Sequence, residues 1–392
     1  MKSAANQPSA SAKDVRLLCS GAEYFPALLA AIQTAVAEIS LETYIFADDV
    51  TGQQVARALI EAARRGVSVR VVYDGFGSSS WIGGIDKQLR EGGVQVAVYR
   101  PERGWQLLRR SRLRRMHRKI TVIDGRIAFI GGINVIDDLN MPEPRSPRFD
   151  FAVSLRGPLV DVIESVAHKL WRRLRHFRLS DELDAAFPDD PPTVPAPVAD
   201  ARSAWFAVRD NVSHRRDIEQ EYLIAIGKAE SEILLANAYF VPGRRFRRAL
   251  IDAAERGVKI RLLLQGRQEY WLQHFATRAL YGALLAAGVE IYDYERSFLH
   301  AKVAVVDGRW ATVGSSNIDP FSLLLAREAN VFVDDTAFAS ELKARLEAAI
   351  TADSRPVSPA YWEQRSWWNR TLTWVAYGMA RGMLGMMGYG RH

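Results

Sequence analysis

Apolar and polar positions alternate between two rhythms along this chain. Ile39 to Phe46 reads as an apolar strand, and Val55 to Ala63 carries apolar residues at helical spacing. Gly66 follows where a helix would stop, and Val67-Ser68-Val69-Arg70 returns to strand. Strand, helix and strand at this spacing predict a βαβ unit. The rhythm comes back later in Glu232 to Phe240, then Phe246 to Ala254, Gly257, and Val258-Lys259-Ile260-Arg261. The stretch Ala63-Arg64-Arg65-Gly66-Val67-Ser68-Val69-Arg70 resembles Ala254-Glu255-Arg256-Gly257-Val258-Lys259-Ile260-Arg261, 191 residues on. The expected molecule is therefore α/β and built of two halves related by a pseudo-twofold axis.

The halves have a legible boundary. Residues 181–200 hold Pro188, Pro191, Pro192, Pro195 and Pro197 among acidic and small residues, which predicts an extended linker. This divides the chain into a loose tail over 1–15, a first domain over 16–180, the linker, and a second domain over 201–355. Residues 356–392 differ in character. Trp362, Trp367, Trp368, Trp374, Met379, Met383, Met386 and Met387 are punctuated by Arg365, Arg370, Arg381 and Arg391, with Glu363 as the lone acid from Trp362 onward. Glycines at 378, 382, 385, 388 and 390 weaken a helix in water. The stretch is expected to be an amphipathic membrane-associating segment; the alternative is a helix packed on the domain surface.

Composition narrows the class. At 392 residues with 48% hydrophobic and 25% charged positions, the chain is long enough for two or three globular domains. A single cysteine, Cys19, excludes an internal disulfide framework and a Cys-rich zinc site, and fits a reducing compartment. No uninterrupted apolar run reaches the roughly 18 residues of a membrane span. The net charge is +7, and 43 of the 52 basic residues are Arg, which favours bidentate contacts to phosphate. Nucleic acid, phospholipid and phosphorylated metabolites all remain as partners at this point.

One chemical pattern occurs twice, once in each half: His117-x-Lys119-x4-Asp124-x6-Gly131-Gly132-x-Asn134, and His300-x-Lys302-x4-Asp307-x6-Gly314-Ser315-x-Asn317. Strand alternation puts each His and its Lys on one face. Asp124-Gly125 and Asp307-Gly308 read as two-residue hairpin turns. Centred there, the hairpins set Gly132 opposite His117 and Ser315 opposite His300, small residues that would let phosphate approach the backbone. Asn134 and Asn317 end the return strands near their histidines. Each half thus offers one imidazole, one ammonium and one amide, and face to face the halves surround one phosphate.

That constellation suits phosphoryl transfer by nucleophilic catalysis. One His attacks phosphorus, and the other protonates the leaving alcohol and then deprotonates the incoming one. Lysines and asparagines stabilise the non-bridging oxygens. No cofactor or metal is expected: two lysines would repel a divalent cation, and no carboxylate cluster or His-rich tract is evident to ligate one. Asp150 and Glu328, each set between apolar strand residues, are candidates to orient the histidines. Asp124 and Asp307 belong to the repeated set, but their place at hairpin tips makes them turn or bracing residues. His168, His176, His214 and His274 stand isolated in sequence and read as surface or packing residues. The basic run Arg103 to Lys119, containing Trp105, Leu107, Leu108 and Leu113, reads as a docking patch for anionic lipid. Trp171-Arg172-Arg173 and Tyr270-Trp271 are weaker candidates for the same role.

The duplicated motif resembles the signature of the phospholipase D superfamily. Arg114 to Lys119, Ala128 to Asn134, Ala236 to Phe240, Thr312 to Pro320, Leu41-Glu42-Thr43 and Trp367-Trp368 look like the bacterial cardiolipin synthases, type B in particular, over about residues 16–370. The resemblance implies two phospholipase D-like α/β/α sandwich domains with mixed sheets, sharing one active site. It implies His117 as nucleophile and His300 as acid/base, an order that spacing alone leaves open. It implies transfer of a phosphatidyl group between two phosphatidylglycerol molecules, giving cardiolipin and glycerol. Gly132 stands where many superfamily members carry Ser. The paired N-terminal transmembrane helices of other cardiolipin synthases are not evident, so peripheral contact with anionic phospholipid at the cytoplasmic face of a bacterial inner membrane is expected. The runner-up function is a phosphodiesterase or nuclease using water; the Trp/Met-rich tail disfavours nucleic acid. A non-catalytic scaffold is a third reading, opposed by two motifs complete in His, Lys and Asn.

Overall fold

Both predicted βαβ units are present, and the same capping chemistry closes their helices. The computed structural model describes residues 11–101, 114–141, 146–176, 202–210, 214–268, 271–319 and 326–363, with four positions between 373 and 379. The first half runs β1 (Ser11–Cys19), α1 (Ser20–Gln33), β2 (Glu38–Thr43), α2 (Val50–Arg64), β3 (Ser68–Asp74), α3 (Ile85–Glu91), β4 (Gln95–Tyr99), β5 (Arg115–Met116), β6 (Lys119–Ile123), β7 (Ile127–Gly131), β8 (Phe151–Arg156) and α4 (Leu159–His176). The second runs β9 (Arg202–Arg209), α5 (Asp217–Lys228), β10 (Glu232–Asn237), α6 (Arg244–Glu255), β11 (Lys259–Gln265), α7 (Trp271–Arg278), α8 (Tyr281–Ala286), β12 (Glu290–Tyr294), β13 (Lys302–Val306), β14 (Trp310–Gly314), β15 (Ala326–Asp334), α9 (Thr336–Asp353), β16 (Ser354–Pro356) and α10 (Pro359–Glu363). After α2, Gly66 takes φ 94° and Val67 N–H donates back to Ala62 O at 3.1 Å; after α6, Gly257 takes φ 90° and Val258 N–H donates to Ala253 O at 3.1 Å. A left-handed residue is needed at both stops, which is why both repeats carry Gly there.

The sheets repeat each other strand for strand. The first is ordered β1-β8-β7-β6-β2-β3-β4, the second β9-β15-β14-β13-β10-β11-β12-β16, and β1 joins β9 through Ser11↔Ser203 and Ala12↔Arg202. Within these two strand orders β2-β3-β4 and β10-β11-β12 are the parallel runs and the other pairs are antiparallel, so both sheets are mixed; β5 pairs β15 in parallel off this path. Helices α1 to α3 cover one face of the first sheet and α5 to α8 one face of the second. Between the sheets lies a shared apolar core: Val122, Ile130 and Val153 from one half, Val303, Val313 and Val331 from the other, with Ile163 of α4 and Leu342 and Leu346 of α9.

Two boundary expectations change. The first strand starts at Ser11, inside the stretch expected as a loose tail, because its first residues pair with β9. The second domain reaches past residue 355: β16 adds to the edge of β12 through Tyr292↔Pro356, and Trp362 of α10 packs its ring 5.1 Å from that of Tyr281. The opening of the stretch read as membrane-associating therefore packs on the domain surface. The linker 181–200 lies outside the described residues, as does most of the chain beyond Glu363.

The hairpins also differ from expectation by one residue. Asp124 and Gly125 take φ 52° and 59°, Asp307 and Gly308 take 50° and 61°, the primed-turn geometry that Asp-Gly predicts. The ladders, however, resume at Ile123↔Ile127 and Val306↔Trp310, with three residues between, and continue to Lys119↔Gly131 and Val303↔Val313. A one-residue change of register moves every side chain relative to its cross-strand neighbour. Gly132 does not face His117, and Ser315 does not face His300.

Candidate active site

The ends of β2, β3 and β4 meet the start of β6 at one end of the first sheet, and the second sheet repeats this. Each motif His enters at that end and is held by backbone of the other half. His117 N–H donates to Arg327 O at 2.9 Å, where β5 runs beside β15, and His300 N–H donates to Phe149 O at 2.8 Å. The two halves therefore position each other's histidines before any side chain is considered.

The carboxylates cross over in the same way. His117 Nδ1–H donates to Glu328 of the second half, 2.9 Å to Oε1 and 3.1 Å to Oε2. His300 Nδ1–H donates to Asp150 Oδ2 of the first half at 2.6 Å. Asp150 is 2% exposed and Glu328 is fully buried. A buried carboxylate on Nδ1 fixes the ring and its tautomer, leaving Nε2 for chemistry. Sequence offered each acid as an orienting residue in the strand downstream of a motif; the structure instead pairs each with the His of the opposite half.

The lysines lie behind the imidazoles. Lys119 Nζ donates to His117 O at 2.5 Å, and Lys302 Nζ donates to His300 O. Both are buried, and burial pushes Lys119 down to about 7. Burial holds His117 below its ordinary value against the pull of Glu328. His300 lies further down, from burial and then the charges of Lys302 and Lys119. Burial raises Asp150 to about 6. Burial disfavours the imidazolium forms, and the two buried lysines set positive charge against the carboxylates on Nδ1.

Asn134 and Asn317 lie buried at the same end, Asn134 Oδ1 accepting from Ile45 N–H at 3.1 Å. Gly132 and Ser315 do not form the open phosphate cradle that a two-residue hairpin implied. The space above Gly132 holds Asp150: a Cβ there would meet Oδ1 at 2.3 Å. Ser315 Oγ donates to Glu328 Oε2 at 2.5 Å and accepts from Ala329 N–H at 3.0 Å. Both residues serve the carboxylates. Asp124 and Asp307 lie at the far end of the strands, away from the imidazoles. Asp124 accepts from the N–H groups of Val36, Ala37 and Glu38 at 2.9, 2.7 and 2.9 Å. Asp307 does the same for Glu230, Ser231 and Glu232 at 3.0, 2.8 and 2.9 Å. These bonds outweigh partial burial and hold both carboxyls below the usual range. Their place in the motif is structural: each ties the hairpin to the start of the neighbouring antiparallel strand, β2 or β10.

Sequence reasoning missed a matched pair and an unmatched one. At the end of β3, Asp74 Oδ2 accepts from Met116 N–H at 2.8 Å; at the end of β11, Gln265 Oε1 accepts from Leu299 N–H at 3.1 Å. Each steadies the residue just before a motif His. A polar residue preceding Gly at the end of both repeated strands, Asp74-Gly75 and Gln265-Gly266, was the available signal. Arg118, between His117 and Lys119, forms a buried two-armed ion pair with Glu42, 2.5 Å and 2.9 Å. The second half has Ala301 and Ala236 at these places. Tyr44 sets its ring edge-to-face with His117, centroids 4.9 Å apart, where the second half has Ala238.

The other candidates separate clearly. His168 is not isolated: it lies 2.9 Å from Glu38 and 3.1 Å from Arg70. With Glu164 these form a Glu38-Glu164-His168 group that sequence did not foresee, at the far end of the strands, with the Arg70 guanidinium already bonded into it. His214 pairs with Asp217 and His274 with Arg278. The side chain of His176, most of the Arg103 to Lys119 run, and Tyr270 lie outside the described residues. Trp171 is packed with Leu170, Met116 and Tyr99, so it is a core residue rather than a lipid anchor. No helix among the described residues is long and apolar enough to cross a membrane.

Known proteins share both the sequence and the architecture. Residues 28–139 and 222–350 match a family model described as cardiolipin synthase, PLD-like domain. Cardiolipin synthase B of Escherichia coli strain K12 is 39% identical over 385 residues, covering 96% of this chain and 89% of that protein. Cardiolipin synthase A of Pseudomonas syringae pv. syringae is 32% identical over 360 residues, covering 89% and 70%. Among solved structures, phosphatidylserine synthase of Haemophilus influenzae Rd KW20 matches in fold, with a TM-score of 0.72 at 11% identity over 98% of this chain and 97% of that one. With two such domains, crossed histidine–carboxylate pairs and these relatives, the chain belongs to the cardiolipin synthase family of the phospholipase D superfamily and is a phosphatidyltransferase.

Proposed function

We propose that this enzyme makes cardiolipin from two phosphatidylglycerol molecules through a phosphohistidine, working peripherally at the cytoplasmic face of the inner membrane. The observation that carries the chemistry is the crossed pairing, Glu328 on His117 and Asp150 on His300. His117 Nε2 attacks the phosphorus of the first phosphatidylglycerol. An N–P bond forms, the P–O bond to glycerol breaks, and His300 in its imidazolium form gives its proton to the departing glycerol oxygen. Neutral His300 then takes the proton from the terminal hydroxyl of a second phosphatidylglycerol. That oxygen attacks phosphorus, and the N–P bond breaks. Lys119, Lys302 and the amides of Asn134 and Asn317 stabilise the non-bridging oxygens.

The order of the two histidines follows the resemblance to the phospholipase D superfamily. Purified enzyme with phosphatidylglycerol vesicles in EDTA, read by lipid mass spectrometry, tests the reading. Cardiolipin with released glycerol is expected. Phosphatidic acid alone would make water the acceptor.

A further inference from the structure

We infer that the enzyme docks on an anionic phospholipid bilayer with the loops that surround the active-site mouth, the site ends of the strands facing the membrane. This rests on the phosphatidyl-transfer reading and names the surface that serves it. Outside the C-terminal stretch, the large apolar side chains left exposed among the described residues are Val36, Val50, Phe76, Ile82, Leu139 and Trp271. All but Val36 lie on segments leaving the site ends of strands. Val50 follows β2, Phe76 and Ile82 follow β3, Leu139 follows β7, and Trp271 follows β11. Phe76, Leu139 and Trp271 are 50%, 50% and 48% exposed. A folded chain scatters single apolar residues over its surface; gathering five around one opening, contributed by both halves, marks an interaction surface.

The charges beside them select the partner. Arg244 and Arg245 are exposed on the first turn of α6, which carries no acid. Cations are mildly unfavourable at a helix N-terminus, so an anion that meets these two arginines and the first-turn N–H groups together is favoured there. α6 follows β10 and starts at the same mouth. Arg115, two residues before His117, stacks 4.7 Å over the Phe76 ring and links the apolar crown to the catalytic strand. Asp48, the exposed acid of the β2–α2 connection, is engaged by Gln53 Nε2 at 2.5 Å. Apolar side chains interleaved with arginines match the acyl boundary and phosphate layer of an anionic bilayer. A phosphodiester seated between the partly buried His117 and His300 leaves its diacylglycerol chains at this mouth, where the bilayer already holds them.

The test is co-sedimentation with phosphatidylglycerol/phosphatidylcholine vesicles in a His117→Ala background, so that binding is read without turnover. The triple variant Phe76→Ser/Leu139→Ser/Trp271→Ser should lose at least about tenfold in partition coefficient. Val36→Ser, at an apolar residue more exposed than these and at the opposite end, should bind as its parent, with thermal midpoints confirming that all are folded. Arg244→Gln/Arg245→Gln should weaken binding to phosphatidylglycerol vesicles and flatten its salt dependence, with little change on phosphatidylcholine alone. Unchanged partition of the triple variant overturns the inference, as does equal loss with Val36→Ser. Loss of self-association with vesicle binding intact would reassign the crown to a second copy of the chain. Because turnover is not read, absence of cardiolipin synthesis by the parent enzyme would count against the proposed reaction and not against this surface.

Discussion

The two halves share a scaffold strand for strand, yet they solve the same local problem with different residues. In the second half a Glu orients the partner histidine, and a serine hydroxyl and a longer side chain fill the space around it. In the first half an Asp does the work, one methylene shorter, and Gly132 opens the room it needs. The residue at 132 or 315 and the acid at 150 or 328 therefore change together. Gly132 is not a missing hydroxyl. It is the counterpart of a short carboxylate that also accepts from its own Phe151 N–H at 2.8 Å. Behind the site the contrast repeats, with the Glu42–Arg118 ion pair in one half and Ala236 with Ala301 in the other.

The largest expected effect tests whether the halves are equivalent at all. His117→Ala and His300→Ala should each lower transfer by about 10³-fold or more, since neither half holds both a nucleophile and an acid. They should differ in what accumulates. With a donor carrying a good leaving group, His300→Ala should still form the phosphohistidine and discharge it slowly, whereas His117→Ala should form none. Radiolabel retained on His117→Ala protein would reverse the order proposed here.

Next is the ion pair that one half has and the other lacks. Glu42→Ala strands the buried Arg118 guanidinium and should cost about 3–5 kcal/mol of stability in denaturant titration. The double variant Glu42→Ala/Arg118→Ala copies the second half and should recover much of that loss. A double variant as unstable as the single one would mean that Arg118, which also donates to Val166 O on α4, matters for packing rather than for charge.

Gly132→Ser puts the second half's residue into the first. The new Cβ meets Asp150, which has no spare length to retreat, so the carboxylate must leave His300. About 1–3 kcal/mol of stability and roughly 10²-fold in kcat/KM should be lost. Ser315→Gly removes two hydrogen bonds, the one donated to Glu328 and the one accepted from Ala329 N–H, but makes no clash, and should cost less activity with about 1–2 kcal/mol of stability. If the two variants behave alike, the coupling of residue size to carboxylate length is wrong.

How much of this was legible follows from the range of each interaction. The repeated helix stops needed only Gly at matched positions, and the motif's His, Lys and Asn sat on strands whose alternation is local. Asp150 and Glu328 were visible as acids in apolar strands, where burial without a partner is costly. Their crossing was not visible, because it depends on how two sheets meet, and no local pattern encodes that. The hairpin register failed by one residue: Asp-Gly specifies the turn, but Arg126 and Arg309 are left over before the ladder resumes. Glu42 and Arg118 are 76 positions apart, and a buried pair at that separation leaves no periodic trace. The first strand at Ser11 was lost to a polar composition that pairing with β9 overrides.

The smallest expected effect is in pH, and it too divides the halves. Asp150 and Asp74 are both raised by burial to about 6, while Gln265, the counterpart of Asp74, does not titrate. As pH falls through 6, each aspartate gains a proton and loses the charge that strengthens the N–H bond it accepts, at His300 Nδ1 for Asp150 and at Met116 for Asp74. As pH rises through 7, Lys119 loses the charge that receives phosphate. The free-enzyme profile, kcat/KM against pH, should therefore be a narrow bell with its acid limb near 6 and its basic limb near 7. If both aspartates contribute, the acid limb falls more steeply than a single ionisation allows. Asp74→Asn keeps an amide oxygen for Met116 N–H, as Gln265 does for Leu299. It should lower kcat/KM only a few-fold at neutral pH while reducing the acid limb to one ionisation. An acid limb of unchanged steepness would leave Asp150 as the sole carboxylate that sets it, and the two strand-end residues would then be equivalent in function despite differing in charge.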